Sequence, residues 1–421
     1  MHRRPGYLFV VPWRVTDRGG VNQVILNLYR HVEAAGEYTP GIWVTSWDHE
    51  RLLATREEER SVAYLRMRAP VGSRRRRGAT AAWLAAWLLF LVPELLRIAR
   101  FLRANAVACV NVHYPSLAAL QLVLTRFLFA RRLRIILSFH GLDLAHARRT
   151  TGLERWLWAA LLRRADAVVS CSRAQTELVA TFAPPVRPRM ATIHNGLDIE
   201  RLMESRNPAA RIDARLAGRR FILSVASLEP KKGVDTLLRA VAIVREEHGV
   251  DAMLALVGPD IGTGDRLRAL AAELGIADRV VFCGELPHRD LHAYYTAAAV
   301  FCLASRVEPF GIVLLEAGAF RCPVVATAVG GIPEILEHDV SARLVRPDDP
   351  AALAAQLRRS LCETESTTRL AEALHERVEA EFSWRNAHRS YMRLVARLDP
   401  SVDGSAELAS PLASRTTTLR D

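Results

Sequence analysis

The sequence predicts an α/β protein of two domains, each built on a mainly parallel sheet with helices on both faces. Three observations lead to this fold class. The chain has 421 residues, half of them apolar, which suits two domains of roughly 200 residues better than one core. Short β-rich runs alternate with helical stretches, and glycines follow several of these runs. In such folds ligands bind at the carboxyl ends of the strands, so the loops there are the candidate site.

The first domain is predicted to span residues 1–205. Its strands are expected at 7–12, 41–46, 107–112, 134–139, 167–171 and 191–193. Gly19 and Gly20 precede a helix at 21–35 and would let the backbone approach a phosphate or sugar closely, although turn glycines are common. His140 follows the fourth strand and is either a satisfied loop residue or a ligand contact. The Asn195-Gly196 turn is interpreted as the structural exit from this domain.

The second domain is predicted to span residues 206–383, after a polar, helix-prone connector at 206–217. Its strands are expected at 221–226, 253–257, 280–283, 300–303 and 323–327, with a helix at 234–246. The pattern from 350 onwards is helical, and 384–398 forms a last amphipathic helix. Residues 399–421, rich in Ser, Thr and Ala, have little to bury and are expected to be disordered.

The stretch 305–316, SRVEPFGIVLLE, indicates a loop that runs into a helix. The loop is expected to end at Gly311, so that the first helical amides would be free to bind a phosphate. Glu308 and Glu316 flank these amides. Their spacing suits two contacts on one extended ligand better than a glycosidase pair, whose carboxyls lie about 5 to 9.5 Å apart. Alternatively, the two carboxylates are a solvated loop charge and a helix-surface charge.

Charge is distributed unevenly along the chain. Residues 1–200 contain 29 Arg and no Lys against 15 acidic residues, whereas the remainder contains 28 basic and 30 acidic residues. Because no nucleic-acid motif accompanies the excess, an anionic membrane surface or an anionic acceptor is the expected partner, and nucleic acid is not. The only two lysines of the chain are Lys231 and Lys232. A compact ammonium at that loop suggests a contact with phosphate oxygens, although a solvated turn would also keep it.

Residues 74–103 combine four consecutive arginines, at 74–77, with an apolar run of about fourteen residues, which is too short to span a bilayer. One interpretation is a helix that lies in the membrane interface, with Trp83 and Trp87 at headgroup depth and Arg97, Arg100 and Arg103 on the polar side. The other is a long helix that faces the core of the first domain.

Several classes of protein are excluded by the motifs. The six cysteines are scattered singly, without metal-ligand spacing, which predicts a reduced cytosolic chain without structural zinc. The N-terminal segment has only a short apolar run and no cleavage site, so it is not interpreted as a signal peptide. No P-loop or dinucleotide-binding glycine pattern follows a strand, which argues against an ATPase or a dehydrogenase.

The second domain resembles the retaining glycosyltransferases of family four, which have the GT-B fold, and the resemblance extends over about residues 5–398. Its specific signature is Glu308, seven residues and Glu316, within EPFGIVLLEAGAFRCPVVATAVGGIPEIL. Supporting segments are SLEPKKGVDTLLRA, FCGELPHRDLHAYYTAAAVF, IHNGLDIERL and DRGGVNQVILNLYRHVEAAG. The resemblance implies two Rossmann-like domains that face each other across a cleft, with the acceptor on the first and the nucleotide sugar on the second. It also places the helix 384–398 back against the first domain.

The resemblance implies a role for each matching residue. Glu308 would contact hydroxyls of the donor sugar, Glu316 the ribose, and Lys232 the diphosphate. His140 would approach the transferred sugar, so that His140, Glu308 and Lys232 are the expected catalytic residues. The implied donor-binding residues are Gly19, Gly20, Ser227, Lys232, Gly284, Glu285, Leu286, Glu308, Phe310, Gly311, Ile312, Val313 and Glu316. The leaving diphosphate itself is thought to assist the incoming hydroxyl on the same face, so retention needs no protein nucleophile. No cofactor or metal is expected, because proteins with the GT-B fold usually need no metal and this sequence has no DxD motif placed to hold one.

Two positions depart from the family pattern. Ser227 stands where the family commonly has an arginine, five residues before the phosphate lysine, and Arg321 stands where a glycine is usual. One cation fewer would then face the diphosphate, unless Lys231 or a cleft arginine replaces it.

The resemblance predicts a cytoplasmic enzyme, peripheral on the inner face of the cell membrane, that transfers a hexose from a UDP- or GDP-sugar to a lipid-linked or glycan acceptor in polysaccharide or glycolipid biosynthesis of the cell envelope. The alternatives are a nucleotide-sugar epimerase, a soluble disaccharide synthase or a non-catalytic donor-binding relative.

Overall fold

The computed structural model describes residues 4–15, 20–45, 52–70 and 79–398. Three segments named above lie outside these ranges: Gly19 with the two residues before it, the arginine run 74–77, and the tail 399–421 that is expected to be disordered.

The N-terminal domain is built on an eight-stranded sheet in the order β3-β4-β2-β1-β5-β6-β7-β8. Its elements are β1 (Gly6–Val11), α1 (Gly20–Ala35), β2 (Thr39–Val44), β3 (Leu53–Glu57), β4 (Arg60–Tyr64), α2 (Ala79–Ala104), β5 (Val107–His113), α3 (Leu120–Phe129), β6 (Arg134–Phe139), α4 (Leu142–Arg148), α5 (Gly152–Arg164), β7 (Ala167–Ser170), α6 (Arg173–Phe182), β8 (Met190–Thr192) and α7 (Ile199–Glu204). All neighbouring strands are parallel except β3 and β4, which form an antiparallel pair at the edge.

The C-terminal domain has a six-stranded, fully parallel sheet in the order β11-β10-β9-β12-β13-β14. Its elements are β9 (Phe221–Val225), α8 (Val234–Glu246), β10 (Met253–Val257), α9 (Gly264–Glu273), β11 (Val280–Gly284), α10 (Leu291–Ala297), β12 (Val300–Leu303), α11 (Ile312–Ala319), β13 (Val324–Thr327), α12 (Ile332–Ile335), β14 (Arg343–Val345), α13 (Pro350–Cys362), α14 (Thr364–Glu381) and α15 (Trp384–Arg397). Short 3₁₀ helices occur at Leu117–Ala119, Pro184–Arg189, Ala214–Leu216, Pro230–Lys232, Ala277–Arg279 and His288–Asp290. The predicted fold class, two parallel α/β sheets with helices around them, is confirmed.

Three strands were not predicted: β3, β4 and β14. The β3–β4 hairpin carries charged residues on an exposed edge, so its alternation of apolar and polar residues is weak. β14 has only three residues, of which Arg343 is buried among hydroxyl and carboxylate partners. Such strands are defined by their pairing partners and leave little signal in the local sequence.

The C-terminal chain returns to the N-terminal domain through α15. Trp384, Ala387, Tyr391 and Val395 are buried in the same apolar cluster as residues of β1 and α1. At the crossover the Leu197 N–H donates to the Phe382 carbonyl over 2.7 Å, so both connections between the domains run side by side. This arrangement fixes the cleft between the carboxyl edges of the two sheets.

Helix α2 is continuous through Pro93, and its two halves differ in burial. Leu95, Ile98, Ala99 and Leu102 of the C-terminal half are buried against the sheet, as the core-facing interpretation expects. In the part from residue 84 to Pro93, none of the side chains is buried. None of the helices in the described part of the chain is long and apolar enough to cross a membrane.

Candidate active site

The loop after β12 places the Glu308 carboxylate beside a lysine from another loop. Lys232, at the end of a 3₁₀ turn that follows β9, has its ammonium 2.7 Å from Glu308 Oε2. The Ser305 hydroxyl donates to the same oxygen over 3.2 Å. The side chains of Glu308 and Lys232 are only 9% and 17% exposed. The solvated-charge interpretation of Glu308 is therefore wrong.

Helix α11 begins at Ile312, directly after Gly311, as the sequence predicts. Gly311 has φ +101° and ψ +61°, a backbone conformation that an L side chain rarely adopts. No side chain caps this helix, so its first amides are available to an anion. The loop that leads into α11 is braced by the N–H of Gly331, which donates to the Glu308 carbonyl over 3.0 Å.

Glu316 is buried, with 6% of its surface exposed, and is held by two side chains. Its Oε1 lies 2.8 Å from His288 Nε2, and the Tyr295 hydroxyl donates to its Oε2 over 2.9 Å. The hydrogen bond to Glu316 raises the pKa of His288, whereas burial raises the pKa of Tyr295 well above its usual value. The alternative of a helix-surface charge is therefore wrong for Glu316.

Neither Lys231 nor Arg306 is placed to supply the cation that the family pattern has at position 227. The Ser227 hydroxyl donates to Glu229 Oε1 over 2.5 Å, and the Lys231 ammonium lies 3.2 Å from that oxygen. Lys231 is therefore directed at Glu229. Arg306, in the same loop as Glu308, is bound to Asp235 and Asp348. Of these three cations, Lys232 alone is directed at Glu308.

The remaining donor-binding candidates are distributed over both domains. Gly284 and Glu285 are exposed and Leu286 is half-buried, at the carboxyl end of β11. Gly20 begins α1 and faces Ile312, since a Cβ built on it would lie 4.0 Å from Ile312 Cδ1. Val313 is half-buried in the first turn of α11.

Phe310, another donor-binding candidate, packs its side chain into the protein interior. It is buried and stacks on His194, with ring centroids 5.6 Å apart, and against Phe382 at 6.0 Å. Any contribution of Phe310 to ligand binding is therefore restricted to its backbone.

His140 lies at the carboxyl end of β6 and is paired with a second histidine. His140 Nε2 is 3.0 Å from His113 Nδ1, and the two rings stack with centroids 5.2 Å apart. Burial lowers the pKa of His140 to about 4, and burial together with the neighbouring His140 lowers the pKa of His113 well below its usual value. Both shifts favour the neutral imidazole, so one ring donates its N–H to the unprotonated nitrogen of the other across this hydrogen bond.

The segment after His140 joins the two sides of the cleft. A Cβ built on Gly141 would lie 2.3 Å from Pro309 Cγ, so only a glycine permits this approach of the His140 loop to the Glu308 loop. Asp143 braces the same segment, because its carboxylate accepts the N–H groups of His140, Gly141 and Leu144 over 2.7 to 2.9 Å. Burial raises the pKa of Asp143 to about 6, although these amides act in the opposite direction.

Glu334 forms an interdomain contact that sequence reasoning missed. It belongs to α12 of the C-terminal domain, and its carboxylate accepts the N–H groups of Arg173 (2.9 Å) and Ala174 (3.0 Å) at the start of α6 in the N-terminal domain. Its Oε2 is also 2.8 Å from His194 Nε2. A carboxylate at a helix N-terminus is favourable. The sequence carries no signal for this contact, because both partners are distant in the chain.

Among the described residues, no group of three or more His, Cys, Asp or Glu side chains is arranged to hold a metal ion.

Comparison with known families assigns each domain. Residues 208–377 match the family described as Glycosyl transferases group 1, and residues 18–201 match the family described as Glycosyltransferase Family 4. The two matches adjoin one another and meet close to the predicted domain boundary.

Curated relatives match about half of the chain. The D-inositol 3-phosphate glycosyltransferase of Mycolicibacterium gilvum is 34% identical over 239 residues, which are 55% of this chain and 52% of the relative. The glycogen synthase of Mycobacterium tuberculosis is 29% identical over 242 residues, 57% of this chain and 55% of the relative. The chain thus spans about half the length of the curated relatives it matches.

Solved structures match nearly the whole fold. Sucrose-phosphate synthase from Thermosynechococcus elongatus covers 94% of this chain and 99% of its own, with a TM-score of 0.71 and 22% identity. Anabaena HepE in complex with UDP covers 93% of this chain and 100% of its own, with a TM-score of 0.72 and 18% identity. At these identities the likeness concerns the fold, two Rossmann-like domains across a cleft.

Proposed function

The chain belongs to the glycosyltransferases of group 1 and family 4, and from this we propose that it transfers a hexose, with retention, from a nucleotide diphosphate sugar to a lipid-linked or glycan acceptor. The observation that carries the proposal is the convergence of Lys232, Glu308 and the uncapped start of α11 at the carboxyl edge of the C-terminal sheet. A cation, a carboxylate and free amides at one edge suit a ligand that contains both phosphates and hydroxyls.

The donor is oriented by the C-terminal domain in this proposal. The diphosphate binds the amides of residues 311–313 and the Lys232 ammonium, while Glu316 accepts hydrogen bonds from the ribose. His288 and Tyr295 already hold Glu316 in place, so little ordering is required when the nucleotide binds. The exposed backbone at 284–286 is left for the nucleobase.

Transfer requires that a hydroxyl of the acceptor forms a bond to the anomeric carbon while the bond from that carbon to the β-phosphate oxygen breaks. The hydroxyl proton goes to the departing diphosphate, and the new bond forms on the same face. Lys232 and the α11 amides stabilise the charge that develops on the diphosphate, which is the main catalytic contribution. Asp143 is not a candidate nucleophile here, because backbone N–H groups occupy its carboxylate.

The test is release of nucleoside diphosphate from UDP- and GDP-hexoses in the presence of a membrane-lipid extract as acceptor. Lys232→Ala and Glu316→Ala are expected to abolish release, since one removes the phosphate cation and the other the ribose contact. Lys231→Ala is the matched control, because its ammonium is directed at Glu229. Full activity of Lys232→Ala, or equal losses at Lys231 and Lys232, would contradict the assignment.

A second candidate function is a donor-binding relative without turnover, and Ser227 favours it. With Ser227 bound to Glu229, one cation fewer faces the diphosphate than the family pattern provides. Calorimetry that detects a nucleotide sugar, together with absence of product from every acceptor tested, would favour this candidate. Transfer that Ser227→Arg accelerates would instead favour the enzyme.

We also propose that the enzyme is cytoplasmic and docks on an anionic membrane through the first half of α2. From residue 84 to Pro93 this helix contains no charged residue, and Leu88, Leu89 and Val92 are 56%, 73% and 61% exposed. An apolar surface of this kind in water indicates an interaction site. The net positive charge of residues 1–200 would attract the domain to anionic lipids.

The detailed placement of α2 differs from the sequence-based expectation. The Trp87 indole N–H donates to the Arg68 carbonyl over 3.0 Å, and Arg103 is bound to the Phe129 carbonyl over 2.9 Å. Trp87 is thus directed at the domain, and the leucines beside it form the apolar surface. The Trp83 side chain lies outside the described residues. Because α2 follows β4, whose carboxyl end lies at the cleft edge, a lipid-linked acceptor bound in the membrane would approach the cleft from this side.

A further inference from the structure

Two aromatic side chains lie together at the carboxyl edge of the N-terminal sheet and have no role in the donor site. Trp13 is two residues beyond β1, and Tyr114 directly follows the neighbouring strand β5. Their ring centroids are 4.7 Å apart with an interplanar angle of 64°, an edge-to-face pair. Both residues are half-buried, so neither is fully enclosed by the domain.

Trp13 is held in one orientation by a buried polar side chain. Its indole N–H donates to Asn22 Oδ1 over 2.8 Å, and Asn22, on α1, is only 2% exposed. The Asn22 amide in turn donates to the Arg14 carbonyl over 3.1 Å. A ring fixed in this way needs little further ordering when it binds a ligand.

Tyr114 is held in an unusual backbone conformation. Its φ of +57° places a bulky residue in the left-handed region, while its N–H donates to the Ser138 carbonyl over 3.1 Å. Such a conformation costs on the order of 1–3 kcal/mol and persists where the surrounding structure enforces it, commonly at functional sites. The strain directs the Tyr114 ring to Trp13.

The pair lies next to the point of transfer. His113, the residue before Tyr114, is bound to His140, and Gly141 contacts Pro309 beside Glu308. Along the cleft edge the order is therefore Glu308, His140, Tyr114 and Trp13. If the transferred sugar lies between Glu308 and His140, the group that receives it lies against the aromatic pair.

We propose that Trp13 and Tyr114 form the acceptor subsite and that they bind a pyranose ring, so that the acceptor ends in a saccharide. The inference rests on the proposed transferase function. One face of a pyranose carries mainly C–H groups, and this face stacks on an aromatic ring while the hydroxyls at its rim remain free to react. A small polyol phosphate would instead require cations. The guanidinium of Arg14, the cation next to Trp13 in the chain, lies over the Tyr64 ring at 6.0 Å.

The test measures the binding of methyl glucoside, methyl galactoside and methyl mannoside to the full chain by saturation-transfer NMR, in the presence of UDP or GDP. Trp13→Leu and Tyr114→Leu are expected to weaken the binding of at least one glycoside about tenfold. Tyr114→Phe retains the ring and is expected to bind as wild type does. Trp156→Leu, which removes an exposed tryptophan on α5, is the matched control. Myo-inositol 1-phosphate is the competing probe.

The readouts separate this inference from the transferase proposal. Nucleotide binding, followed by thermal shift, should be unchanged in all four variants, which also reports that they fold. Glycoside binding that depends on Trp13 in a protein that transfers no sugar would uphold the subsite and contradict the transferase. Absence of any Trp13-dependent glycoside signal, or dependence on Trp13 for inositol phosphate alone, would overturn the subsite.

Discussion

The ammonium of Lys232 lies 2.7 Å from the Glu308 carboxylate, across 76 residues of sequence. Each partner was expected to contact a different part of the donor, the diphosphate and the sugar. Their ion pair shows that the two side chains are adjacent and that each charge, mostly buried, is compensated by the other. A donor phosphate that binds Lys232 must share it with Glu308, so the two contacts are coupled.

The first prediction concerns this pair. Glu308→Gln keeps the side-chain shape but removes the charge that pairs with Lys232 and that, in the proposed function, accepts hydroxyls of the sugar. Because hydrogen bonds to charged groups contribute about 1.5–3 kcal/mol, kcat/KM for the donor should fall roughly 10- to 150-fold. Steady-state release of nucleoside diphosphate measures this effect.

Ser305→Ala is the control for Glu308→Gln. It removes a weaker hydrogen bond to the same oxygen and leaves the ion pair with Lys232. A smaller loss than for Glu308→Gln is expected, because the Ser305 contact is longer, at 3.2 Å, and the ion pair with Lys232 remains. If Glu308→Gln were as active as wild type, Glu308 would have no part in donor recognition.

The second prediction concerns pH and the pair His288–Glu316. The pKa of His288 is raised in the folded protein by its hydrogen bond to Glu316, above the value of about 6.5 expected in the unfolded chain. A raised pKa means that the pair stabilises the fold fully below pH 6.5 and loses this contribution as pH rises through the folded pKa. The difference in melting temperature between wild type and His288→Asn should therefore shrink from pH 5.5 to pH 9.

His248→Asn provides the comparison, because His248 is an exposed histidine at the end of α8. Its melting temperature should stay close to that of wild type, because the substitution of an exposed side chain usually changes stability little. A wild-type advantage over His288→Asn that grew with rising pH would show that the sign is wrong and that His288 is not stabilised by the carboxylate.

The fold, and the approach of Lys232 to Glu308, were largely predictable from the sequence, for a local reason. Strong β-rich runs bounded by glycines determine the strands, and the carboxyl edge of a parallel sheet then places residues such as Lys232 and Glu308 near one another. The start of α11 was predictable for the same local reason. A glycine at 311 followed by an apolar run predicts that the helix begins at Ile312, where the structure has its first residue.

The interdomain part of the site was not predictable in this way. Glu334 of the C-terminal domain binds the start of α6 in the N-terminal domain through a tertiary contact between segments with unremarkable local sequence. Within the N-terminal domain, the contact of His113 with His140 is tertiary in the same way. Helix α2 shows the intermediate case. Its apolar composition was evident, but the division into a buried half and an exposed half at Pro93 depends on which part of the helix the rest of the domain covers.

The third prediction concerns the interdomain contact of Glu334. Glu334→Ala removes three hydrogen bonds that connect α12 to α6 and His194. The arrangement of the two domains in this structure should become less stable by roughly 2 kcal/mol or more. The radius of gyration from small-angle scattering should rise, and kcat should fall. The affinity for the nucleotide should change little, because the Glu334 carboxylate binds none of the residues that are proposed to contact the nucleotide.

Glu337→Ala serves as the control for Glu334→Ala. Glu337 lies three residues further along, is half exposed, and its nearest cation, Arg377, is 3.9 Å away. Scattering and kcat of this variant should match wild type. Equal scattering curves for Glu334→Ala and wild type would contradict this prediction. They would indicate that other contacts, such as those of α15, hold the two domains in place.

The last prediction concerns membrane docking through α2. Leu88, Leu89 and Val92 are exposed and lie in the uncharged part of the helix, so their joint replacement by serine should leave the fold intact and remove the apolar contact. Fully burying one such side chain contributes about 1.5–3 kcal/mol, and partial insertion of three should still account for at least a tenfold change in binding. Sedimentation with phosphatidylglycerol-containing liposomes measures it.

Two comparisons separate the apolar from the electrostatic contribution to docking. Ile261→Ser with Val340→Ser removes equally exposed apolar side chains from the C-terminal domain and should sediment as wild type does. Replacing the arginines at 74–77 by serine should weaken binding at low salt and have less effect at high salt, since screening already removes their attraction there. If the α2 variant sedimented like wild type, the exposed leucines would not be the docking surface. If neutral liposomes bound wild type equally well, the attraction to anionic lipid would have no part in docking.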